Sequence, residues 1–246
     1  DFCLSRGLGD VYKRQVFPVP DGDTGTNMTL TIMSAAKEVK ALENPNMLAI
    51  AKAISSGSLR GARGNSGVIL SQLLRGFTKE IREHDEIDTS ILARACERAT
   101  ATAYKAVMNP TEGTILTVAR LAAEAARIAA DVENDPIIVL GAACNAAEDA
   151  LAQTPELLHV LKKAGVVDAG GKGLCIIFEG MLSLLRDGVM INIDAPVEVK
   201  KENTDDFFKN AAAEFDSEIN FTYCTEFIVG KNDNATADSC LLYTSP

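Results

Sequence analysis

The sequence predicts an all-α fold: an antiparallel barrel or bundle of about eight helices, followed by the start of a truncated α/β domain. Apolar residues recur at positions i, i+3 and i+4 from about residue 26 to about residue 187, which is the period of a helix with a buried face. Aromatic residues make up only 5% of the chain, there is no tryptophan, and alanine is common. This balance favours close-packed helices over a β-sandwich.

The helices are predicted where the apolar period is unbroken, and segments with glycine, proline or asparagine separate them. The stretches beginning at Pro136 and Pro155 open with proline in the favoured first turn. The predicted helices cover residues 28–42, 46–59, 66–82, 89–108, 114–133, 136–153, 155–163 and 173–186.

The chain is predicted to contain more than one domain. The helices form a domain over 16–190, and a polar, charged linker follows at 191–204. Residues 205–238 are predicted to begin a truncated second domain, because 218–229 alternates as a strand does. The two ends, 1–15 and 239–246, have no clear period and are predicted to be non-native or disordered.

Composition excludes several classes of protein. The net charge is −10 and the pI about 4.8, which argues against nucleic acid as a partner. The six cysteines are widely spaced and form no CxxC pair, so a disulfide framework is not expected. No apolar run is long enough for a membrane span and no signal peptide is visible, so the prediction is a cytoplasmic protein.

The strongest motif is VFPVPDGDTGTNM at 16–28. Asp21 and Asp23 lie two residues apart on a glycine-containing loop, where carboxylates can converge on a divalent cation. The loop runs into a helix, whose first backbone N–H groups attract phosphate. These groups belong to Gly25, Thr26 and Asn27. A simpler interpretation also fits, namely a turn in which Asp23 or Thr24 caps the helix.

A second motif, GSLRGARGNSG at 57–67, is a glycine-rich turn between two predicted helices. Asn65 and Ser66 stand at the start of the next helix and form a candidate anion site. The segment lacks the GK[ST] of a P-loop. A plain helical turn with a serine cap is the alternative.

Two further loops open helices, one at 109–114 and one at 167–173. The second has three glycines around Asp168 and Lys172, so that a ligand could approach the backbone closely. Each loop alone is typical of a turn. If the four helix starts gather at one end of the bundle, they form a mouth large enough for a nucleotide.

The four motifs together resemble the DhaL-type kinase domain of the dihydroxyacetone kinase-like family. They are most similar to the N-terminal domain of the bacterial fatty acid kinase catalytic subunit. The resemblance covers about residues 16–190 and continues weakly into 221–227. The segments that carry it are 16–28, 57–72, 110–118 and 167–174.

The resemblance implies an antiparallel helical barrel with ATP and a pair of Mg²⁺ ions at one end. It implies that Asp21 and Asp23 are the catalytic residues and that they act by holding the magnesium ions, not as a general base. Cys224 matches a cysteine that ligates Zn²⁺ in the family's middle domain. The residues assigned to the nucleotide are Thr24, Gly25, Thr26, Asn27, Gly64, Asn65, Ser66, Gly67, Thr114, Asp168 and Gly170.

The resemblance also implies a reaction. A fatty acid carried by a separate binding protein would be converted to an acyl phosphate, as a step towards phospholipid synthesis. Two alternatives stay open: the L subunit of a dihydroxyacetone-type kinase, and a regulatory module that binds a nucleotide without turnover. Thr24, where the dihydroxyacetone type more usually has His, favours the fatty acid branch. Gln15 stands where the family has Asn, next to the metal ligands.

Overall fold

A computed structural model of the chain describes residues 22–188. Chain contacts divide the protein into two units, 1–204 and 205–246, and all described residues belong to the first. The predicted ends, linker and second domain lie outside the described residues. The helices are α1 Thr24–Lys40, α2 Met47–Gly61, α3 Gly64–Ile81, α4 Thr89–Ala106, α5 Ile115–Ala130, α6 Pro136–Leu157, α7 His159–Ala164 and α8 Ala169–Asp187.

The predicted fold class is confirmed, because the part of the chain from 22 to 188 contains eight helices and no strand. Consecutive helices pack against each other, and α8 packs on α5, α6 and α1. The last helix thereby returns to the first. Within the same residues, no helix is both long and apolar enough to cross a membrane.

Helices α1 and α2 run antiparallel, and glycine lets them approach closely. A Cβ atom at Gly57, late in α2, would lie 2.8 Å from the Cα atom of Ala35 on α1. One at Gly61 would clash with Ser34, one residue earlier on α1. The Ser34 hydroxyl donates to the Gly57 carbonyl over 2.8 Å, so a side chain of α1 also bonds to the backbone of α2.

The α3–α4 pair repeats this arrangement. A Cβ atom at Gly76 would lie 2.6 Å from the Cα atom of Ala99 and would also clash with the carbonyl of Arg98. One turn further along α3, Glu80 accepts from Arg94 and Arg98, each over 2.8 Å. The two arginine bonds hold the pKa of Glu80 below its usual value.

The helices share one apolar core made largely of small residues. Alanine supplies much of it, and aliphatic side chains from α1, α3, α5, α6 and α8 complete it. Small side chains allow short distances between helix axes, which suits the low aromatic content. Members of this core that are at most 4% exposed include Met28, Leu70, Ala103, Ile115, Leu116, Val118, Val139, Ala147, Leu151, Leu174 and Cys175.

The predicted helix start at Pro155 is wrong, since α6 runs through this residue to Leu157. Proline has no N–H to give to the carbonyl of Leu151, four residues earlier. The hydroxyl of Thr154 takes that place by donating to the Leu151 carbonyl over 2.7 Å. The N–H of Leu158 then bonds to the Thr154 carbonyl, so the helix continues past the proline.

The predicted helix boundaries are also wrong at two places where glycine was taken to interrupt a helix. Residues 57–61 are the last turns of α2 rather than a turn between helices, and α8 begins at Ala169 rather than at Gly173. A Cβ atom at Gly171 would lie 2.8 Å from Val118 of α5 and 3.2 Å from Leu151 of α6. Glycine at these positions serves close helix packing and not chain flexibility.

We expect Gly76→Ala to destabilise the protein by about 1–3 kcal/mol, because the new methyl group meets backbone that cannot move aside. The matched control is Gly141→Ala in the middle of α6, where nothing lies within 4 Å of the added Cβ atom. It should stabilise the protein by about 0.5–1 kcal/mol through helix propensity. Urea unfolding of both variants measures the difference. Equal effects would contradict the close α3–α4 contact.

Candidate functional site

The start of α1 carries Asp23 in the N-cap position, yet this side chain does not cap the helix. Its Oδ2 atom accepts instead from the side-chain amide of Asn27, over 2.6 Å. Asn27 is only 7% exposed, whereas Asp23 is half-buried. The simple capping role considered for Asp23 is therefore wrong. Its carboxylate lies beside the first turn of α1 without serving that turn's N–H groups.

The start of α3 packs directly on this turn. Gly64 has φ of +57°, a conformation that favours glycine, and an added Cβ atom would clash with the Asn27 amide. The same atom would lie 3.7 Å from Oδ2 of Asp23. A Cβ atom at Gly67 would come within 2.7 Å of the hydroxyl of Thr31. The first and second motifs thus meet.

Side-chain caps distinguish the helix starts from one another. Those of α1 and α3 receive no side-chain cap hydrogen bond, and neither does the short α7. At each of the other described helices, the residue before the first turn accepts from a backbone N–H of that turn. The capping residues are Asn46 for α2, Asp88 for α4, Thr114 for α5, Asp135 for α6 and Asp168 for α8.

The turn between α2 and α3 carries a positively charged side chain, that of Arg63. One guanidinium nitrogen of Arg63 donates to the carbonyl of Ala62 over 2.8 Å and to that of Arg60 over 3.4 Å. These carbonyls belong to the end of α2, which needs donors. Arg63 is exposed and forms no ion pair with any described carboxylate, whereas Arg60 pairs with Glu38.

The third and fourth motifs meet at a second place. Asp168 is 5% exposed, and its Oδ2 atom accepts from the N–H of Gly171 over 2.7 Å. The backbone N–H of Asp168 donates to Thr154 over 3.1 Å. A Cβ atom at Gly170 would lie 3.3 Å from Cβ of Ile115, the first residue of α5, so the first turns of α5 and α8 are close. A buried carboxylate therefore caps α8 beside the start of α5.

Burial raises the pKa of Asp168 to about 6, although the N–H groups of Gly171 and of nearby Ile115 oppose the shift. Thr114, also buried, donates to the carbonyl of Thr111 over 2.7 Å and accepts from the N–H of Leu116. Both predicted ligand residues are thus engaged with the protein itself. Direct contact of either with a nucleotide stays a prediction.

Glu112, a residue that the sequence analysis did not select, fixes the loop before α5. It accepts from the hydroxyls of Tyr104 and Thr117, over 2.8 and 2.6 Å, and from Arg120 over 3.1 Å. Burial would raise the pKa of Glu112, but the three hydrogen bonds outweigh it and the pKa lies below its usual value. The sequence did contain a signal for this role: Glu112 lies inside the third motif, and hydrogen-bond donors, Tyr104 and Arg120, stand eight residues before and after it.

The alternating helix directions put the starts of α1, α3, α5 and α8 at one end of the bundle, which the sequence predicted only conditionally. Thr24, Gly25, Gly67 and Gly170 are buried there, while Thr26, Gly64 and Asn65 are exposed and Ser66 is half-buried. Asp21 and Cys224 lie outside the described residues. Within 22–188, no group of three or more His, Cys, Asp or Glu side chains is placed to hold a metal ion.

Comparison with known proteins gives consistent matches. The family profile described as "DAK2 domain" matches residues 18–183. Protein YloV of Bacillus subtilis (strain 168) is 45% identical over 232 residues, which are 92% of this chain and 41% of that protein. An uncharacterized protein of Staphylococcus epidermidis (strain ATCC 12228 / FDA PCI 1200) is 47% identical over 239 residues, 94% of this chain and 42% of that protein. The chain thus spans about two fifths of the length of these relatives.

A solved structure shares the fold. The dihydroxyacetone kinase from C. freundii, in complex with AMP-PNP and Mg²⁺, superposes with a TM-score of 0.51 at 18% sequence identity. The match covers 74% of this chain and 32% of that one. At this identity, the similarity concerns the fold.

We expect Gly64→Ala to destabilise the protein more than Gly165→Ala does. Both glycines have positive φ, at +57° and +65°, and share the cost of placing alanine there. Only Gly64 faces a side chain, the Asn27 amide, whereas nothing lies within 4 Å of the Cβ position at Gly165. The difference between the two unfolding free energies, of about 1 kcal/mol or more, measures the contact. A difference near zero would show that α3 does not rest on Asn27.

The raised pKa of Asp168 predicts a pH-dependent stability. The folded state binds the extra proton between the ordinary pKa of 3.8 and about 6. The free energy of unfolding should therefore fall as pH rises through this window, by roughly 3 kcal/mol, and stay level above it. In Asp168→Asn this contribution is absent. Urea unfolding at several pH values gives the difference between wild type and variant, and parallel curves would contradict the shift.

Proposed function

The chain belongs to the DAK2 domain family, and from this membership we propose that it is the ATP-binding part of a Mg²⁺-dependent phosphotransferase. The uncapped starts of α1 and α3 carry the proposal. The side chains of the N-cap residues, Asp23 and Arg63, do not cap these starts, and the helix dipoles add positive potential. Polyphosphate is a favourable acceptor at such helix starts, so the triphosphate would lie across these two.

Gly64 supports this placement. It is the first residue of α3, it is exposed, and its Cβ position lies next to Asn27 and Asp23 of the first turn of α1. Gly25 and Thr26 of α1, with Asn65 and Ser66 of α3, are the residues whose N–H groups we assign to phosphate oxygens.

The residues present fit Mg²⁺. This ion is usually bound by one or two carboxylates together with substrate phosphates and water, and not by a cage of protein ligands. Asp23 offers a half-buried carboxylate that caps no helix, and Asn27 fixes its orientation. We propose Asp23 and Asp21 as the magnesium ligands. Bound there, the ion would offset negative charge on the phosphates.

The acceptor that we propose is a carboxylate. Transfer forms a bond between a carboxylate oxygen and the γ-phosphorus while the bond from this phosphorus to the β–γ bridging oxygen breaks, so the products are an acyl phosphate and ADP. A carboxylate is already nucleophilic, so no side chain has to remove a proton. The role of the chain is to hold and orient the phosphates and to stabilise charge.

For the substrate class, we propose a fatty acid delivered by a separate binding protein. Thr24 and the segment 221–227 support this branch through the family resemblance. Cys224 would be a zinc ligand of the longer protein. The fold shared with a dihydroxyacetone kinase that binds AMP-PNP and Mg²⁺ keeps a hydroxyl acceptor as the second candidate. A cytoplasmic location also stays a proposal.

We expect Asp23→Asn to weaken the binding of ATP in the presence of Mg²⁺ by about tenfold or more, which corresponds to ~1.4 kcal/mol. Without Mg²⁺, wild type and variant should bind ATP almost equally, because the lost interaction runs through the metal. Isothermal titration calorimetry with and without Mg²⁺ measures both.

Asp88→Asn is the matched control, since Asp88 also occupies an N-cap position but lies at the opposite end of the bundle. Asparagine still caps α4, so both stability and ATP binding should stay at the wild-type level. Equal ATP affinities for wild type and Asp23→Asn, with and without Mg²⁺, would refute the metal site. Absence of ATP binding by the wild type would refute the proposed function as a whole.

A further inference from the structure

The carboxylate of Glu112 ties the loop before α5 to both helices that this loop connects. Its Oε1 atom accepts from the hydroxyl of Tyr104, near the end of α4, over 2.8 Å. Its Oε2 atom accepts from two side chains of α5, the Thr117 hydroxyl over 2.6 Å and the Arg120 guanidinium over 3.1 Å. Hydrogen bonds to an ionised acceptor are stronger than those between neutral groups. The loop is therefore firmly held, although Glu112 itself is exposed.

Thr117 connects this carboxylate to the backbone of the loop. Its hydroxyl donates to Glu112 and accepts from the backbone N–H of Gly113 over 2.8 Å. A hydroxyl carries a single hydrogen, so donation to Glu112 leaves the lone pairs of the same oxygen for Gly113. Thr117 is 1% exposed and Gly113 is also buried, so loss of this bond would leave a buried N–H without its acceptor. The carboxylate thus orients the hydroxyl, and the hydroxyl holds the backbone.

Gly113 determines how the chain enters α5. Its φ is +81°, and a Cβ atom there would lie 2.9 Å from Cβ of Leu158, the residue after α6. Thr114 follows as the N-cap of α5, and Ile115 begins the helix. A Cβ atom at Gly170, in the first turn of α8, would lie 3.3 Å from Cβ of Ile115. A different backbone direction at Gly113 would therefore move the start of α5 relative to the start of α8.

We infer that Glu112 is a positioning residue for nucleotide binding: through the hydroxyl of Thr117 and the backbone of Gly113, its carboxylate fixes the start of α5 at the end of the bundle where α1 and α3 begin. The identity of the ligand, ATP, rests on the proposed function. The hydrogen bonds that hold the loop do not depend on it.

The surroundings of Glu112 argue against a direct role of its carboxylate at the ligand. Both oxygens already accept from side chains, and a ligand would have to displace these donors. The Arg120 guanidinium, 3.1 Å away, opposes the approach of a divalent cation to the same carboxylate. A phosphate group would meet like charge. Glu112 therefore acts through its neighbours, whereas the carboxylate of Asp23 caps no helix and has no ion pair with a described residue.

The first test measures hydrogen exchange at the backbone N–H of Gly113 in the full chain. Exchange should be faster in Glu112→Ala, which removes all three hydrogen bonds, and in Thr117→Val, which removes the hydroxyl at nearly constant shape. Thr117→Ser keeps a hydroxyl and should restore most of the protection. Unchanged exchange at Gly113 in a folded Glu112→Ala variant would overturn the connection through Thr117.

The second test measures the affinity for ATP by isothermal titration calorimetry, with and without Mg²⁺. Glu112→Ala and Thr117→Val should each weaken ATP by about tenfold, or ~1.4 kcal/mol, under both conditions. Thr117→Ser should recover most of the affinity that Thr117→Val loses. If Glu112→Ala does not fold, Tyr104→Phe removes one of the three bonds and should give a smaller loss in the same direction.

Glu80→Ala is the matched control. Glu80 is also a carboxylate that accepts from arginine side chains between two helices, but it lies in the last turn of α3, at the opposite end of the bundle. The substitution should lower the free energy of unfolding and leave the affinity for ATP at the wild-type level. An equal loss of ATP affinity in Glu80→Ala would show that the effect of Glu112→Ala is one of stability, and would overturn the inference.

A positioning role and a direct role give different results. A loss in Glu112→Ala that occurs only with Mg²⁺ would make Glu112 a metal ligand and would overturn the inference. So would a loss in Glu112→Ala that a folded Thr117→Val variant does not share. Unchanged affinity in both folded variants would overturn the inference alone, while a wild type that binds no ATP would overturn the proposed function as well.

Discussion

The backbone N–H groups at the start of each helix are the constraint on which the rest of the structure depends. They need acceptors, and a helical bundle gathers many of them at its ends. The helices of this protein meet the need in two ways. Short polar side chains cap α2, α4, α5, α6 and α8, whereas α1 and α3 have no such cap. The capped starts gain stability from their own side chains, whereas phosphate is the acceptor that we propose at α1 and α3; the short α7 also has no side-chain cap.

Close packing makes this division possible. Glycines at the contacts of α1 with α2 and of α3 with α4 bring backbones close together, and those at the start of α8 bring it against side chains of α5 and α6. Larger residues at these positions would push the helices and their starts apart. The alanine-rich core allows the same close spacing. The chemistry expected of the family depends on spacing that small residues set.

The helical period alone was enough to predict the fold class and most of the helices, because each buries an apolar row. Local reasoning failed where tertiary contacts override it. Pro155 does not end α6, since Thr154 supplies the missing donor, and the glycines after Asp168 lie inside a helix. The meeting of the first motif with the second, and of the third with the fourth, was predicted only on the condition that the helix starts gather at one end of the bundle. The sequence could not test that condition, because the motifs are distant from one another in the chain.

Arg63 has a consequence for the electric field around the α2–α3 turn. The C-terminal end of α2 carries partial negative charge, and it adjoins the helix start that we assign to phosphate. Left bare, its carbonyl groups would repel the ligand at close range. The guanidinium group of Arg63 covers two of them and brings a full positive charge to the turn. At the proposed site, the positive charge of Arg63 would offset the partial negative charge of the carbonyl groups at the end of α2 and would add attraction for a polyanion.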